Sequence, residues 1–273
     1  MLKSRVFAGL VGLVAAVLLA AAVPASAQQA PRQGAQKQTK PTIVLVHGAF
    51  ADSSSWNGVI PLLQAQGYQV VAAPNDLRGV QSDADEVAAI LKSIPGPIVL
   101  VGHSYGGNVI TNAAEGNPNV KALVYVAAFA PEVGETALGL TGKFPGSTLS
   151  SALAKPVPLP GGGNDMFIDQ AKFHDQFAAD VPTAQAALMG IGQRPVTDTA
   201  LNEPSKNAAW KNIPSWFVYG TADKNIPPQA HAFMAQRAAA KETVVVDGAS
   251  HVVMVSHPDQ VAKVIENAAA ATQ

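Results

Sequence analysis

The run Pro97-Ile98-Val99-Leu100-Val101-Gly102-His103-Ser104-Tyr105-Gly106-Gly107 constrains the fold more than any other part of the chain. Ile98 to Val101 are apolar and mostly β-branched, which fits a central parallel strand covered on both faces. Gly-x-Ser-x-Gly follows directly. Val109, Ile110 and Ala113 then recur at helical spacing, so a helix starts near Tyr105, and Glu115-Gly116-Asn117-Pro118 closes it. A lone Gly-x-Ser-x-Gly arises by chance in about one chain in ten of this length, so the flanking strand and helix carry the meaning. The turn between them must be sharp and strained. Gly102 and Gly106 have no side chains to clash there, so Ser104 is thrust forward at the strand's C-terminal end. The helix N-terminus behind it favours negative charge, which an acyl-transfer intermediate develops.

The rest of the chain repeats the strand–helix rhythm. Thr42 to Val46 reads as a second apolar strand, running into His47-Gly48-Ala49-Phe50. Ser53 to Ser55 read as the cap of a helix through Leu63 that Gly67 ends. A strand over Tyr68 to Ala72, a helix over Asp83 to Ser93 and a strand over Val120 to Ala127 follow. From Ala128 to about Ile213 scattered prolines and Gly161-Gly162-Gly163 break the pattern. Strand Ser215 to Tyr219, a helix near Pro228 to Ala239, strand Glu242 to Val246 and a last helix from Pro258 restore it. The pattern predicts one α/β domain over residues 41–273, with a mostly parallel sheet and helices on both faces. Residues 128–213 are too long for a connecting loop and predict a helical cap leaving the sheet's ligand-binding side.

The N-terminus reads differently. Lys3 and Arg5 precede the apolar run Val6 to Val23, and Ala25-Ser26-Ala27 is a small-residue cleavage pattern. Residues 1–27 are therefore expected to be a secretory signal peptide, with an uncleaved membrane anchor as the rival. Residues 28–40, Gln-rich with no large apolar residue, read as a disordered lead-in. Cleavage would change the net charge from −1 to −3 by removing two basic residues. Neither value gives an electrostatic footprint for nucleic acid. With no cysteine, there is no disulfide and no thiol nucleophile.

Serine is a poor nucleophile unless a base lies within hydrogen-bond reach and an acid orients that base. Six histidines are available. His47 and His103 are local to the two loops, with His103 read as pointing away from the serine. His174 lies in the insertion, His231 inside a helix and His257 at a helix start. His251 follows the Val244–Val246 strand, ahead of the last helix, and is the expected base. The acid should follow a strand between Ser104 and His251. Asp223, after Tyr219-Gly220-Thr221-Ala222, is the first choice, with Asp247 and Glu132 as alternatives. For the oxyanion, backbone N–H groups of Tyr105 and Phe50 are expected, with Ala49 the second choice in the first loop. Trp56 and Trp210 read as core. No clustered ligand set is visible, so the chemistry calls for no cofactor and no metal.

Together these residues resemble the α/β-hydrolase superfamily from Pro41 onward. The segments Val44-Leu45-Val46-His47-Gly48-Ala49-Phe50 and Gly102-His103-Ser104-Tyr105-Gly106-Gly107 are similar to one branch in particular, as are Asp223 with the residues before it and His251 with those after it. That branch holds plant methylesterases, hydroxynitrile lyases and their bacterial esterase relatives. Lyases of that branch carry a lysine after the catalytic histidine and a threonine after the histidine of the first loop. Val252 and Gly48 stand there in this chain. The resemblance therefore implies hydrolysis of a small-molecule ester at Ser104, and the expected signal peptide places that activity in the periplasm or outside the cell. Cofactor-free perhydrolase or haloperoxidase chemistry on the same residues is the alternative, and a non-catalytic binding protein is the third reading.

Overall fold

The structure, a computed structural model, describes residues 40–272 and, before them, Gly9 alone. The signal peptide expected over residues 1–27 and all of the lead-in except Lys40 lie outside the described residues.

Strand β1 (Thr42–Val46) leads through a 3-10 turn (Ser53–Trp56) to α1 (Ile60–Ala65). The helix expected from Ser53 is thus split. Pro61 lacks an N–H and crowds the preceding turn, so it fits only the first turn of a helix that restarts at Ile60. Asp52, rather than the serines, caps the 3-10 turn by accepting from Ser54 N–H at 2.7 Å. Then come β2 (Val70–Ala73), α2 (Val80–Ser93), β3 (Ile98–His103), α3 (Gly106–Ala113) and β4 (Val120–Val126). Helix α2 starts three residues earlier than the sequence suggests. Its first N–H groups find a carboxylate from far along the chain: Glu203 accepts from Val80 at 2.6 Å and Gln81 at 3.3 Å.

The chain leaves the sheet after β4. The segment holds α4 (Ala137–Gly142), α5 (Leu149–Ala152), β5 (Val157–Pro158), β6 (Asn164–Met166), α6 (Gln170–Phe177), α7 (Thr183–Gly192), β7 (Val196–Thr197) and α8 (Asp198–Asn202). The helices match the expectation. The three short strands, an antiparallel sheet in the order β5-β6-β7, were not foreseen. Pro156, Pro158 and Pro160 cannot continue a helix and push their predecessors toward extended backbone. The core resumes with β8 (Ser215–Gly220), α9 (Pro228–Arg237), β9 (Glu242–Val246), the single turn α10 (Val253–Ser256) and α11 (Pro258–Ala270).

The main sheet is six-stranded and parallel throughout, in the order β2-β1-β3-β4-β8-β9. Every residue of β1, β3 and β8 is buried, as fits strands covered on both faces, whereas edge strand β9 alternates. Helix α3 packs on β1, β3 and β4, with α2 behind it, while α11 packs on β3, β4 and β8 beside α1. Two helical layers therefore enclose the strands. Polar residues of the buried α3 are used to tie it down. Thr111 bonds the Gly107 carbonyl and the Tyr125 hydroxyl, and the Asn112 side-chain Oδ1 accepts from the Lys206 and Asn207 N–H groups where the inserted segment ends. In register, Val46 lies beside Gly102, and Gly220 beside Val246. The C-terminal ends of β1, β3, β8 and β9 thus stop at one level, and the loops that leave them meet.

Candidate active site

Ser104 sits in that meeting place. Its φ is 52°, a left-handed conformation that costs a non-glycine residue about 1–3 kcal/mol and persists only where surrounding structure imposes it. The imposition is visible. A Cβ at Gly102 would lie 2.6 Å from the Gly106 carbonyl oxygen, and one at Gly106 would lie 2.7 Å from that of Val46. Only glycines let β3, α3 and β1 approach this closely. Gly48 does the same from the first loop, where a Cβ would stand 2.6 Å from the Ser104 Cβ.

Ser104 Oγ is 2.8 Å from His251 Nε2, and His251 Nδ1 is 2.7 Å from Asp223 Oδ2. A carboxylate only accepts, so His251 Nδ1 carries the proton, Nε2 is bare and the serine hydroxyl donates to it. All three side chains are buried. Asp223 Oδ1 accepts from the N–H groups of Asn225 at 2.8 Å and Ile226 at 3.0 Å. Burial alone would push the Asp223 carboxyl up. Electrostatic attraction to the His251 imidazole and hydrogen bonds from two imidazoles outweigh it and hold the carboxyl below the ordinary carboxylate range.

The competing acids are engaged elsewhere. Asp247 accepts from the Thr221 hydroxyl at 3.0 Å, and Glu132 pairs with Lys211 at 2.6 Å. His174 and His257 also serve local contacts, with the Val181 carbonyl and the Ser256 hydroxyl. His47 bonds the Gly48 carbonyl within its own loop.

Two expectations need correction. Phe50 N–H donates to the Arg194 carbonyl at 3.1 Å, so it is not free to meet an oxyanion. Its φ of 60° turns the group that way. Among the described residues the N–H groups of Ala49 and Tyr105 have no acceptor. The Phe50 ring instead packs edge-on against Phe177 over the serine. His103 does not point away from the serine's side. Its ring lies against that of His251, with centroids 4.8 Å apart, and its Nε2 is 3.2 Å from the His251 carbonyl oxygen.

His231 was missed. Its Nε2 is 3.1 Å from Asp223 Oδ2, the oxygen His251 also uses. No local signal marks it: it sits eight residues past Asp223 on the buried face of α9, where a histidine reads as core. Only the turn at Pro227-Pro228 brings it back.

Burial holds His47, His103 and His231 below their ordinary value of 6.5, in His103 with help from the neighbouring His251. The folded state therefore resists protons that the unfolded chain accepts. Stability from this source is complete above pH 6.5 and declines as pH falls below it. Thermal melts at falling pH should show Tm dropping from pH 6.5 downward, well before carboxylates titrate. A Tm unchanged until the carboxylate range would contradict this.

Below the elbow, the Tyr105 hydroxyl donates to Asp83 Oδ2 at 2.9 Å in a buried position. Burial raises the Asp83 carboxyl, and Tyr105 is one of three donors that offset it. Tyr105→Phe should cost about 1–3 kcal/mol, read as a lower denaturation midpoint with an unchanged m-value. A midpoint equal to wild type would show the bond to be idle.

The cavity over the serine is lined by Ser104, His251, Ala49 and the apolar Phe129, Leu138 and Phe177, and its volume is about 30 Å³. The inserted segment supplies much of its wall through Leu138, Thr141 and Phe177. A larger groove of about 290 Å³ adjoins it across Phe50 but contains none of the triad.

The family model for "Alpha/beta hydrolase family" matches residues 43–264. An alpha/beta hydrolase of Aspergillus novofumigatus, nvfD, is 28% identical over 84% of this chain and 97% of its own length. Methylesterase 1 of Arabidopsis thaliana is 24% identical over 82% of this chain and 94% of its own. The crystal structure of polyneuridine aldehyde esterase superposes with a TM-score of 0.73 at 20% identity, covering 84% of this chain and 99% of that one. A parallel sheet with a strained serine elbow, and a family model running from the first strand into the last helix, give the same answer: this chain belongs to the alpha/beta hydrolase family.

Proposed function

We propose that the protein is a serine esterase acting on small neutral carboxylic esters through an acyl-enzyme at Ser104. The unbroken hydrogen-bond chain from Ser104 Oγ through His251 to Asp223, at 2.8 and 2.7 Å, carries this reading. As Ser104 Oγ attacks the ester carbonyl, His251 Nε2 takes its proton, and Asp223 holds the imidazolium that forms. The oxyanion lies between the N–H groups of Ala49 and Tyr105. The tetrahedral intermediate collapses, His251 returns its proton to the leaving alcohol, and water repeats the sequence on the acyl group. The Asp223 carboxyl, held below the ordinary carboxylate range, remains the acceptor that orients His251.

Relatives named as esterases and hydrolases support ester hydrolysis in general. Val252, directly after His251, is apolar and fully buried, so no cation is present there to receive a leaving cyanide. Apart from the triad histidine, the cavity lining is uncharged, which favours a neutral substrate. The proposal includes secretion, supported by the basic start, apolar run and Ala25-Ser26-Ala27. N-terminal sequencing of exported protein should begin at or beside Gln28, and an intact Met1 would count against it.

A p-nitrophenyl ester panel with rising acyl length tests the activity, alongside labelling by a fluorophosphonate. Turnover on short esters and one label per chain are expected. A chain that neither labels nor hydrolyses any member is not a serine esterase.

A further inference from the structure

We propose that His231 is a positioning residue for the triad: it donates a second hydrogen bond to the carboxylate oxygen that His251 uses, pinning Asp223 in the orientation that holds the base. This rests on the serine-esterase reading above. Two imidazoles meet one atom, Asp223 Oδ2, at 2.7 Å from His251 Nδ1 and 3.1 Å from His231 Nε2. The other oxygen takes the N–H groups of Asn225 and Ile226. Four donors thus surround one carboxylate, and His231 is fully buried behind it. Tyr219 on β8 stacks on the His231 ring, with centroids 4.8 Å apart and planes 19° off parallel, which fixes the direction of its N–H. A purely structural histidine needs only some acceptor. This one uses the oxygen that orients the base.

The carboxylate only accepts, so His231 Nε2 must carry a proton. Its Nδ1 faces the Ala128 carbonyl without a well-formed hydrogen bond, and burial disfavours a charge on the ring. Burial therefore favours the ring with one proton, the one on Nε2 that Asp223 accepts. A neutral N–H on Oδ2 draws on the same negative charge that stabilises the imidazolium of His251 during attack. The titratable groups facing this pair are few. They are Asp223, Ser104 and His103 around His251, and Asp223 and Tyr219 around His231.

His231→Phe keeps the ring and its stack on Tyr219 but removes the donor. His231→Gln replaces the ring but keeps an N–H at similar reach. With rates counted per fluorophosphonate-labelled site, so that misfolded chains drop out, the Phe variant should lose about tenfold to a hundredfold in kcat with KM changed far less. The acid limb of its kcat/KM profile should move up by about half to one pH unit. The Gln variant should recover both. Unchanged kcat and an unmoved limb in the Phe variant would overturn the proposal. A Gln variant that behaves like Phe would also overturn it, since the ring and not the donor would then matter. Nitrogen-15 NMR titration of His251 reads the same shift without turnover. An inactive wild type would therefore sink the esterase reading alone, while the titration still decides this one.

Discussion

Ser104→Ala is expected to lower kcat on a short-chain p-nitrophenyl ester by about four to six orders of magnitude, with KM little changed. The substitution removes the hydroxyl hydrogen-bonded to His251 Nε2 and leaves the cavity walls in place. Whatever rate survives comes from the N–H groups of Ala49 and Tyr105, which need no nucleophile of the protein's own to polarise a carbonyl. His251→Ala should cost about as much, since a serine without its base is as idle as a base without its serine. The double variant should therefore be no slower than either single one, within about threefold. A further loss of several orders in the double variant would mean that the two groups act separately, and the triad account would fail. The single serine variant retaining wild-type turnover would end it outright.

Gly220→Ala should be severely damaging, although Gly220 neither lines the cavity nor belongs to the triad. A Cβ there would lie 2.0 Å from the Ala249 carbonyl oxygen and 2.5 Å from its carbonyl carbon. Both neighbours are backbone, and β8 is held between β4 and β9, so neither side can yield cheaply. The same Ala249 carbonyl accepts from Ala222 N–H at 3.0 Å, tying the loop that carries Asp223 to the loop that carries His251. Forcing them apart should cost about 1–3 kcal/mol or more by overpacking. A displacement of about 1 Å between acid and base should also lower kcat about a hundredfold. Gly161, which has nothing within 4 Å, serves as the control and should tolerate alanine with little change. Equal melting and equal rates for the two variants would show that the close approach is not what aligns the loops.

Several features of the site could be read before any coordinate was known because their signals are local. The elbow needs glycines on both sides of the serine and an apolar strand before it, and all of these are contiguous from Ile98 to Gly107. His251 and Asp223 each follow an apolar strand, and parallel strands deliver their C-terminal ends to one side of the sheet. The start of α2 was misread because one of its caps, Glu203, stands 123 residues away. The split before α1 could have been found from Pro61.

What the chain alone determined is the rhythm of buried strands and helices, and with it the fold and the edge where a serine, a histidine and an aspartate could converge. Hydrophobic periodicity and steric limits on the backbone act over a few residues, so they are written in neighbouring letters. Only tertiary packing decided which N–H in the first loop is free, because an Arg194 carbonyl occupies that of Phe50 and leaves that of Ala49. Packing alone also brought His231 to Asp223 and the His103 ring to His251. A hydrogen-bond partner is selected by direction and distance in space, and residues far apart along a chain carry no mark of where folding will bring them.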